Sequence, residues 1–256
     1  MDLIELKRIG QDGHGEMHFT LNKNNNMGHF KTKTIIEIGG NNGEDTMKYA
    51  EACDVLYVFE PVPYLADKLR GMFEGNSRVK AKVKVIQKAV SDFNGTARFG
   101  ISGPNHSWNL GCSSLNEFNP NIGEEWPGRP DFNMMEYIDV DVIRLDDFIR
   151  EEGIESIEFL HIDAQGSDLK VLQSLGTEVH KVKAGRCEAS NTVALYKDVD
   201  NSANSIMRHL NLNGYYIKTI FNHYGDQIHI DELPNSTEEV DIYFESIAIF
   251  GHTLKG

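Results

Sequence analysis

The sequence predicts an α/β fold: an open, mostly parallel sheet with helices on both faces and an antiparallel strand pair at the C-terminal end. Three observations carry this. From Thr34 onward, short apolar runs alternate with amphipathic segments of helical period. The first apolar run ends in a glycine-rich turn, Gly39-Gly40-Asn41-Asn42-Gly43. The last two runs, Tyr215 to Phe221 and Asp241 to Phe250, close the chain as strands.

In order, Thr34 to Ile38 is a strand, and a helix from about Glu44 sets Met47, Ala50 and Cys53 on one face. Val55 to Phe59 is the second strand, followed by a helix with Leu65, Leu69, Met72 and Phe73 at helical spacing. Val83 to Val90 is a third. This βαβαβ order reads as a parallel sheet flanked by helices. Asn94-Gly95 signals a turn before a strand over Thr96 to Ile101. Ser102 to Met135 is a long Gly-, Pro-, Asn- and Ser-rich loop holding both tryptophans. Loops above a rigid sheet usually carry recognition, so it is the candidate specificity element. Trp108 and Trp126 either stack on a sugar face or plug the loop into the core, and plugging is favoured.

The alternation resumes with a strand over Tyr137 to Arg144 and a short helix over Leu145 to Glu152. Ile157 to Ile162 is a strand, and Leu169, Leu172 and Leu175 mark the next helix. Val179 to Cys187 is a further strand; Ala203, Ile206, Met207 and Leu210 mark a last helix face. One domain over 34–256 accounts for this pattern. Residues 1–33 carry Gly13-His14-Gly15 and an asparagine-rich tract, which argue for irregular backbone in an arm, a lid or a frayed terminus.

Composition narrows the function. The 256 residues fit one large domain or two small ones, and 40% hydrophobic residues suffice for a sizeable core. Lys and Arg total 25 against 39 acids, a net charge of −14, which argues against a nucleic-acid partner because phosphate contacts need clustered cations. No apolar run approaches the ~18 residues of a membrane span. The start, Met1-Asp2-Leu3-Ile4-Glu5, lacks the basic-then-apolar pattern of a secretory signal. Cys53, Cys112 and Cys187 have no paired metal spacing and read as reduced thiols, so a cytoplasmic location is expected.

Four signals carry chemistry. In Glu37-Ile38-Gly39-Gly40-Asn41-Asn42-Gly43, a dinucleotide fingerprint fails because Asn41 and Glu44 stand where later glycines belong. A phosphate loop fails because Glu44-Asp45 follow Gly43, and two acids repel a pyrophosphate. Glu-x-Gly-x-x-x-Gly instead suits the loop that holds S-adenosylmethionine, whose methionine end carries no phosphate; a plain strand-to-helix turn is the alternative. Glu60, ending the second strand, is placed to accept from both ribose hydroxyls, or is a solvated acid. Ser91-Asp92 follow the third strand, where Asp92 either meets an adenine amine or is a turn residue. In His161-Ile162-Asp163-Ala164-Gln165-Gly166, Asp163 falls at a strand end facing the same crevice. It can orient an acceptor, act as base or ligate a cation. His161 shares its face and is either a base suited to neutral pH or a buried core histidine.

Together with Phe59-Glu60-Pro61, Ala89-Val90-Ser91-Asp92, Gly95-Thr96-Ala97, Ser113-Ser114-Leu115 and Arg144-Leu145-Asp146-Asp147, these motifs resemble the FkbM-type methyltransferases over Thr34 to Ser190. The resemblance implies a class I Rossmann-like methyltransferase fold with a mostly parallel seven-stranded sheet. It implies S-adenosylmethionine as donor, S-adenosylhomocysteine as product, and a hydroxyl of a sugar, glycan, lipid or polyketide-type small molecule as acceptor. On that analogy Glu37, Gly39 and Gly43 surround the methionine moiety, Glu60 meets the ribose, and Ser91 with Asp92 meets the adenine. His161, Asp163 and Glu188 are the candidate catalytic residues. Asp163, Glu188 and Asn191 could hold Mg²⁺, but a hydrogen-bonding role is favoured and no metal is expected. The chain departs from the family pattern in carrying His161 for a lysine and Gln165 for a glutamate. Those departures keep a second reading open: a weakened module that binds the donor and acts through a partner. An NAD-type oxidoreductase is disfavoured by the failed glycine spacing. His106, Ser114, His223 and Tyr224 are loop residues within conceivable reach of an acceptor.

Overall fold

A computed structural model describes residues 4–9, 16–21, 32–103, 111–129, 131–222, 224–235 and 239–248. His106, Trp108 and His223 lie outside these. Two strands, β1 (Ile4–Ile9) and β2 (Glu16–Leu21), pair antiparallel with Ile4 opposite Leu21. Strands at 4–9 and 16–21 differ from the expectation of irregular backbone over 1–33, while Gly13-His14-Gly15 and the asparagine-rich tract lie outside the described residues. Apolar and polar residues alternate along Ile4-Glu5-Leu6-Lys7 and Met17-His18-Phe19-Thr20-Leu21, the period of a strand.

The remaining elements follow in chain order. They are β3 (Thr34–Ile38), α1 (Glu44–Ala52), β4 (Val55–Phe59), α2 (Pro63–Phe73), β5 (Lys82–Ile86), β6 (Ala89–Val90) and β7 (Gly95–Ser102). Then come α3 (Ile122–Glu125), β8 (Met134–Ile143), α4 (Leu145–Glu151), β9 (Phe159–Ile162), α5 (Asp168–Ser174) and β10 (Ala184–Ser190). The chain closes with α6 (Ala203–Leu212), β11 (Tyr215–Asn222), β12 (Gln227–Ile228) and β13 (Glu239–Ser246).

The main sheet has the order β12-β11-β13-β10-β9-β3-β4-β5. Neighbours from β5 to β10 run parallel, and β13 runs antiparallel to both β10 and β11. The α/β class and the antiparallel C-terminal pair are therefore as expected, but the sheet has eight strands rather than seven. The extra one is the two-residue β12, folded back on β11 by a turn in which the Asn222 N–H donates to the Asp226 carbonyl. The expected strand over Val83 to Val90 is two strands. The Lys88 N–H donates to the Ile86 carbonyl, and this tight turn sends β6 into a separate sheet of order β6-β8-β7. The strand expected from Val179 begins at Ala184, because Gly176–Lys181 coils into a 3₁₀ turn.

Alternation on β3 divides the core. Ile35 packs with Leu56, Val58, Phe159 and the Tyr49, Ala50 and Leu69 side chains of α1 and α2. Ile36 and Ile38 face the other way, against Phe59, Leu160, Ile162 and the apolar stripes of α4, α5 and α6. All five β3 residues are buried, which fixes this strand as the axis of the sheet. Within the long connection from β7 to β8, Trp126 meets the Phe132 ring edge-on and Phe118 stacks on Tyr196. Trp126 thus plugs its loop into a local apolar cluster, as favoured. Among the described residues no helix is long and apolar enough to cross a membrane.

Phe148 of α4 meets Tyr57 and Phe59 edge-on at 5.2 and 4.8 Å and is 6% exposed. Phe148→Ala is expected to cost about 3–5 kcal/mol in urea-induced unfolding, from lost burial and the cavity left behind.

Candidate functional site

The site begins where β3 ends. Gly39 adopts φ +89° and Gly43 φ +87°, with Asn41 at φ +40° between them. The N–H groups of Gly39 and Gly40 both donate to the Phe59 carbonyl, which folds the loop over the end of β4. A Cβ on Gly39 would stand 2.1 Å from the Asp163 carbonyl oxygen. Only glycine combines that left-handed backbone with so close an approach.

Beside this loop lies a cleft of about 590 Å³, partly open to solvent, at the carboxyl ends of β3, β4 and β9. Gly39, Asn41, Glu60 and Lys88 to Val90 line it, Phe99 and Leu115 add apolar wall, and Asp163 to Gln165 close one end. Glu60 is 4% exposed. Its Oε2 accepts from the Asn41 N–H at 2.7 Å and its Oε1 from the Val62 N–H at 2.8 Å. Burial nevertheless pushes its carboxyl up to about 7. The Oδ1 of Asn41 is buried and, among the described residues, has no hydrogen-bond partner. An orphaned acceptor and an acid with spare lone pairs, set between apolar walls, fit a nucleoside ligand.

At the closed end, the Gln165 amide nitrogen donates to Asp163 Oδ1 at 2.6 Å and to Glu188 Oε2 at 3.0 Å. The Gln165 Oε1 accepts from the Tyr196 hydroxyl at 2.8 Å. Ser114 does not reach into the cleft; its hydroxyl donates to the Gln165 carbonyl at 2.6 Å and ties the long loop to this turn. Burial, then charge from neighbouring acids, raises the Glu188 carboxyl. Burial raises Asp163 as well, opposed first by the bond from Gln165.

Several expected residues stand elsewhere. Glu37 faces α1, opposite to the cleft-lining Ile38, because strand alternation turns it away; it is 1% exposed, and burial holds its carboxyl well above the usual range. His161 lies 3.9 Å from Glu37 Oε1 and 5.4 Å from the Tyr49 ring, one row below the cleft. Burial and then the Arg186 charge lower its pKa, so it reads as the core histidine and not as a base in reach of an acceptor. Gly43 sits against Met72 and starts α1 without lining the cleft. Ser91 and Asp92 lie past its wall: the Ser91 hydroxyl donates to Asp92, whose carbonyl accepts from Arg144. The Asn191 amide donates to the Leu233 carbonyl, and among the described residues no three His, Cys, Asp or Glu side chains cluster for a metal. Tyr224 is exposed in its loop.

The sequence reading passed over Asn41, Tyr196 and Arg186. Asn41 between two glycines was a visible signal, since asparagine tolerates left-handed backbone. Arg186 pairs with Asp241 at 2.9 Å from a neighbouring strand 55 residues on, which no local pattern reveals.

Comparison with known proteins adds the following. The family model for the methyltransferase FkbM domain matches residues 37–217. A protein of Sinorhizobium fredii named 2-O-methyltransferase NoeI is 29% identical over 143 residues, 54% of this chain and 55% of that protein. The chain therefore spans about half the length of this curated relative. A methyltransferase FkbM structure from Methylobacillus flagellatus superposes with TM-score 0.48 at 12% identity, covering 83% of this chain and 44% of that one. An S-adenosylmethionine-dependent methyltransferase from Clostridium acetobutylicum gives 0.42 at 8% identity, covering 84% and 85%.

The raised Glu60 carboxyl has a consequence for stability. A buried acid whose pKa rises from 4.5 to about 7 favours the folded state in its protonated form. That contribution is complete below 4.5 and is lost as pH rises through about 7. Glu60→Gln removes the dependence, so the variant gains roughly 1–3 kcal/mol relative to wild type across this window. Chemical unfolding at several pH values measures it.

Proposed function

This chain belongs to the methyltransferase FkbM domain family, and on that premise we propose that it transfers a methyl group from S-adenosylmethionine to a hydroxyl of a sugar, glycan, lipid or polyketide-type small molecule. The observation that carries the donor assignment is the Glu60 carboxylate, fixed by two backbone N–H groups at the floor of the cleft. Each oxygen keeps a lone pair for a ribose hydroxyl. Phe99, Leu115 and the Lys88 to Val90 backbone offer an apolar slot for the base, and the Asn41 Oδ1 offers an acceptor to the ligand. The methyltransferase domain is taken to span 34–256, with 1–33 as an arm or lid. The name of the Sinorhizobium relative supports oxygen as the acceptor atom.

S-adenosylmethionine, when bound, supplies an electrophilic methyl on a cationic sulfur. This chain's part is to hold the acceptor oxygen in line with it and to receive the hydroxyl proton. Asp163 is the group for that proton, since it lines the cleft where His161 does not. Burial raises its carboxyl, which makes it a better base than an exposed aspartate. Glu188 stands behind it across the Gln165 amide.

Calorimetric titration of the purified protein with S-adenosylmethionine, S-adenosylhomocysteine and NAD tests the donor. The expected outcome is heat with both sulfur ligands and none with NAD, and at least about tenfold weaker binding by Glu60→Gln, the scale of a lost charged hydrogen-bond partner. Binding of NAD alone would sink the assignment. Label from methyl-labelled donor should appear on a hydroxylated acceptor and disappear with Asp163→Ala.

A further inference from the structure

We propose that Gln165 is a positioning residue that holds Asp163 and Glu188 as a pair at the methyl-transfer end of the cleft and, through its two donors, draws them toward their charged forms. The proposal rests on the donor reading above and adds to it a role for the residue that departs from the family pattern.

The geometry is specific to a primary amide. One nitrogen carries two hydrogens, and here each has its own carboxylate, at 2.6 and 3.0 Å. The Tyr196 hydroxyl, whose single hydrogen is shared between the Gln165 Oε1 at 2.8 Å and the Cys112 carbonyl at 3.0 Å, sits on the oxygen side of the amide. Turning the amide over would aim its oxygen at two carboxylates. The backbone at Gln165 is strained to φ +46° and is pinned by the Ser114 hydroxyl on its carbonyl. The residue is therefore fixed from both ends, and its donors point one way.

The charge balance explains the need. Around the pair are Asp168 on α5, Glu239 and Asp241 on β13, Asp45 on α1, Glu37 on β3, Glu60 at the end of β4, and the Arg186 guanidinium with the Tyr196 hydroxyl. Arg186 is engaged by Asp241 at 2.9 Å and Asp45 at 3.6 Å. Burial and the neighbouring acids press the two carboxyls toward holding a proton, as adjacent acids do, and donors to the charged forms oppose this. The Gln165 amide supplies those donors without adding charge. A glutamate at this position would put a third carboxylate between the other two. A proton would then have to sit among the three. A cationic sulfonium in the cleft gains from the charged pair; an uncharged thioether does not.

Two variants and two readouts test this. Protonated Gln165→Glu keeps one of the amide's two donor hydrogens and ionised Gln165→Glu keeps none and adds charge, so its deficit in melting temperature relative to wild type should be at least about 4 °C larger at about pH 8.5 than at about pH 5.5. Gln165→Met, which lacks donors, should bind S-adenosylmethionine at least about fivefold more weakly than wild type at about pH 5.5. S-adenosylhomocysteine should change less than about twofold, and the gap should close at about pH 8.5. A glutamate variant displaced equally at both pH values, or a methionine variant that weakens both ligands alike, would overturn the proposal and leave Gln165 a packing residue. If wild type binds neither sulfur ligand, the donor reading fails instead, and the pair of melting curves still decides whether Gln165 governs the charge of the two acids.

Discussion

The arrangement of the site depends on one backbone contact, the approach of Gly39 to the Asp163 carbonyl. It forms because β3 and β9 are neighbours in register, with Ile38 beside Ile162 and the Asp163 N–H donating to the Ile38 carbonyl. With a side chain at position 39, the two strand ends would have to separate. With glycine, the loop lies flat over Phe59, Asn41 reaches Glu60, and Asp163 leaves β9 at the edge of the cleft. One absent Cβ thus sets the relation between the acid proposed for the ribose and the acid proposed for the transferred group's partner.

Two groups of buried polar side chains lie along these strands, one at the cleft and one beneath it. On the cleft side, Glu60, Asp163 and Glu188 are held by N–H donors from Asn41, Val62 and Gln165. On the α1 side, Glu37, His161, Arg186 and Tyr243 lie opposite one another on successive strands. Burial, and after it the positive charge of Arg186, suppresses protonation of His161, while Arg186 pairs with Asp241 and Asp45. Such a polar row beneath a helix is an arrangement of the fold, and it places the histidine away from chemistry.

Much of this was legible in the sequence, for physical reasons. The buried strands announced themselves as short apolar runs, and the failed dinucleotide spacing at Asn41 and Glu44 argued against an NAD-type ligand. Glu60 at the cleft was legible because it ends the strand that follows the glycine loop, where open α/β sheets form their crevice. What stayed hidden depended on contacts between distant segments. Sequence alternation correctly put His161 on the face of Asp163, but depth below the cleft is set by where Asp163 leaves the strand. Glu37 was drawn into the site by its proximity to the glycines, although its parity sends it to α1. Gln165 looked like a loss beside a family glutamate; only the positions of Glu188 and Tyr196, 23 and 31 residues away, give the amide its two donors' partners and its anchor.

The most direct test of the account is a crystal structure of the protein with S-adenosylhomocysteine. The account predicts both ribose hydroxyls on Glu60, the base between Phe99, Leu115 and the Lys88 to Val90 backbone, and the sulfur facing Asp163. Density for the ligand on the α1 side of the sheet, or a ribose that leaves Glu60 bonded only to Asn41 and Val62, would contradict it.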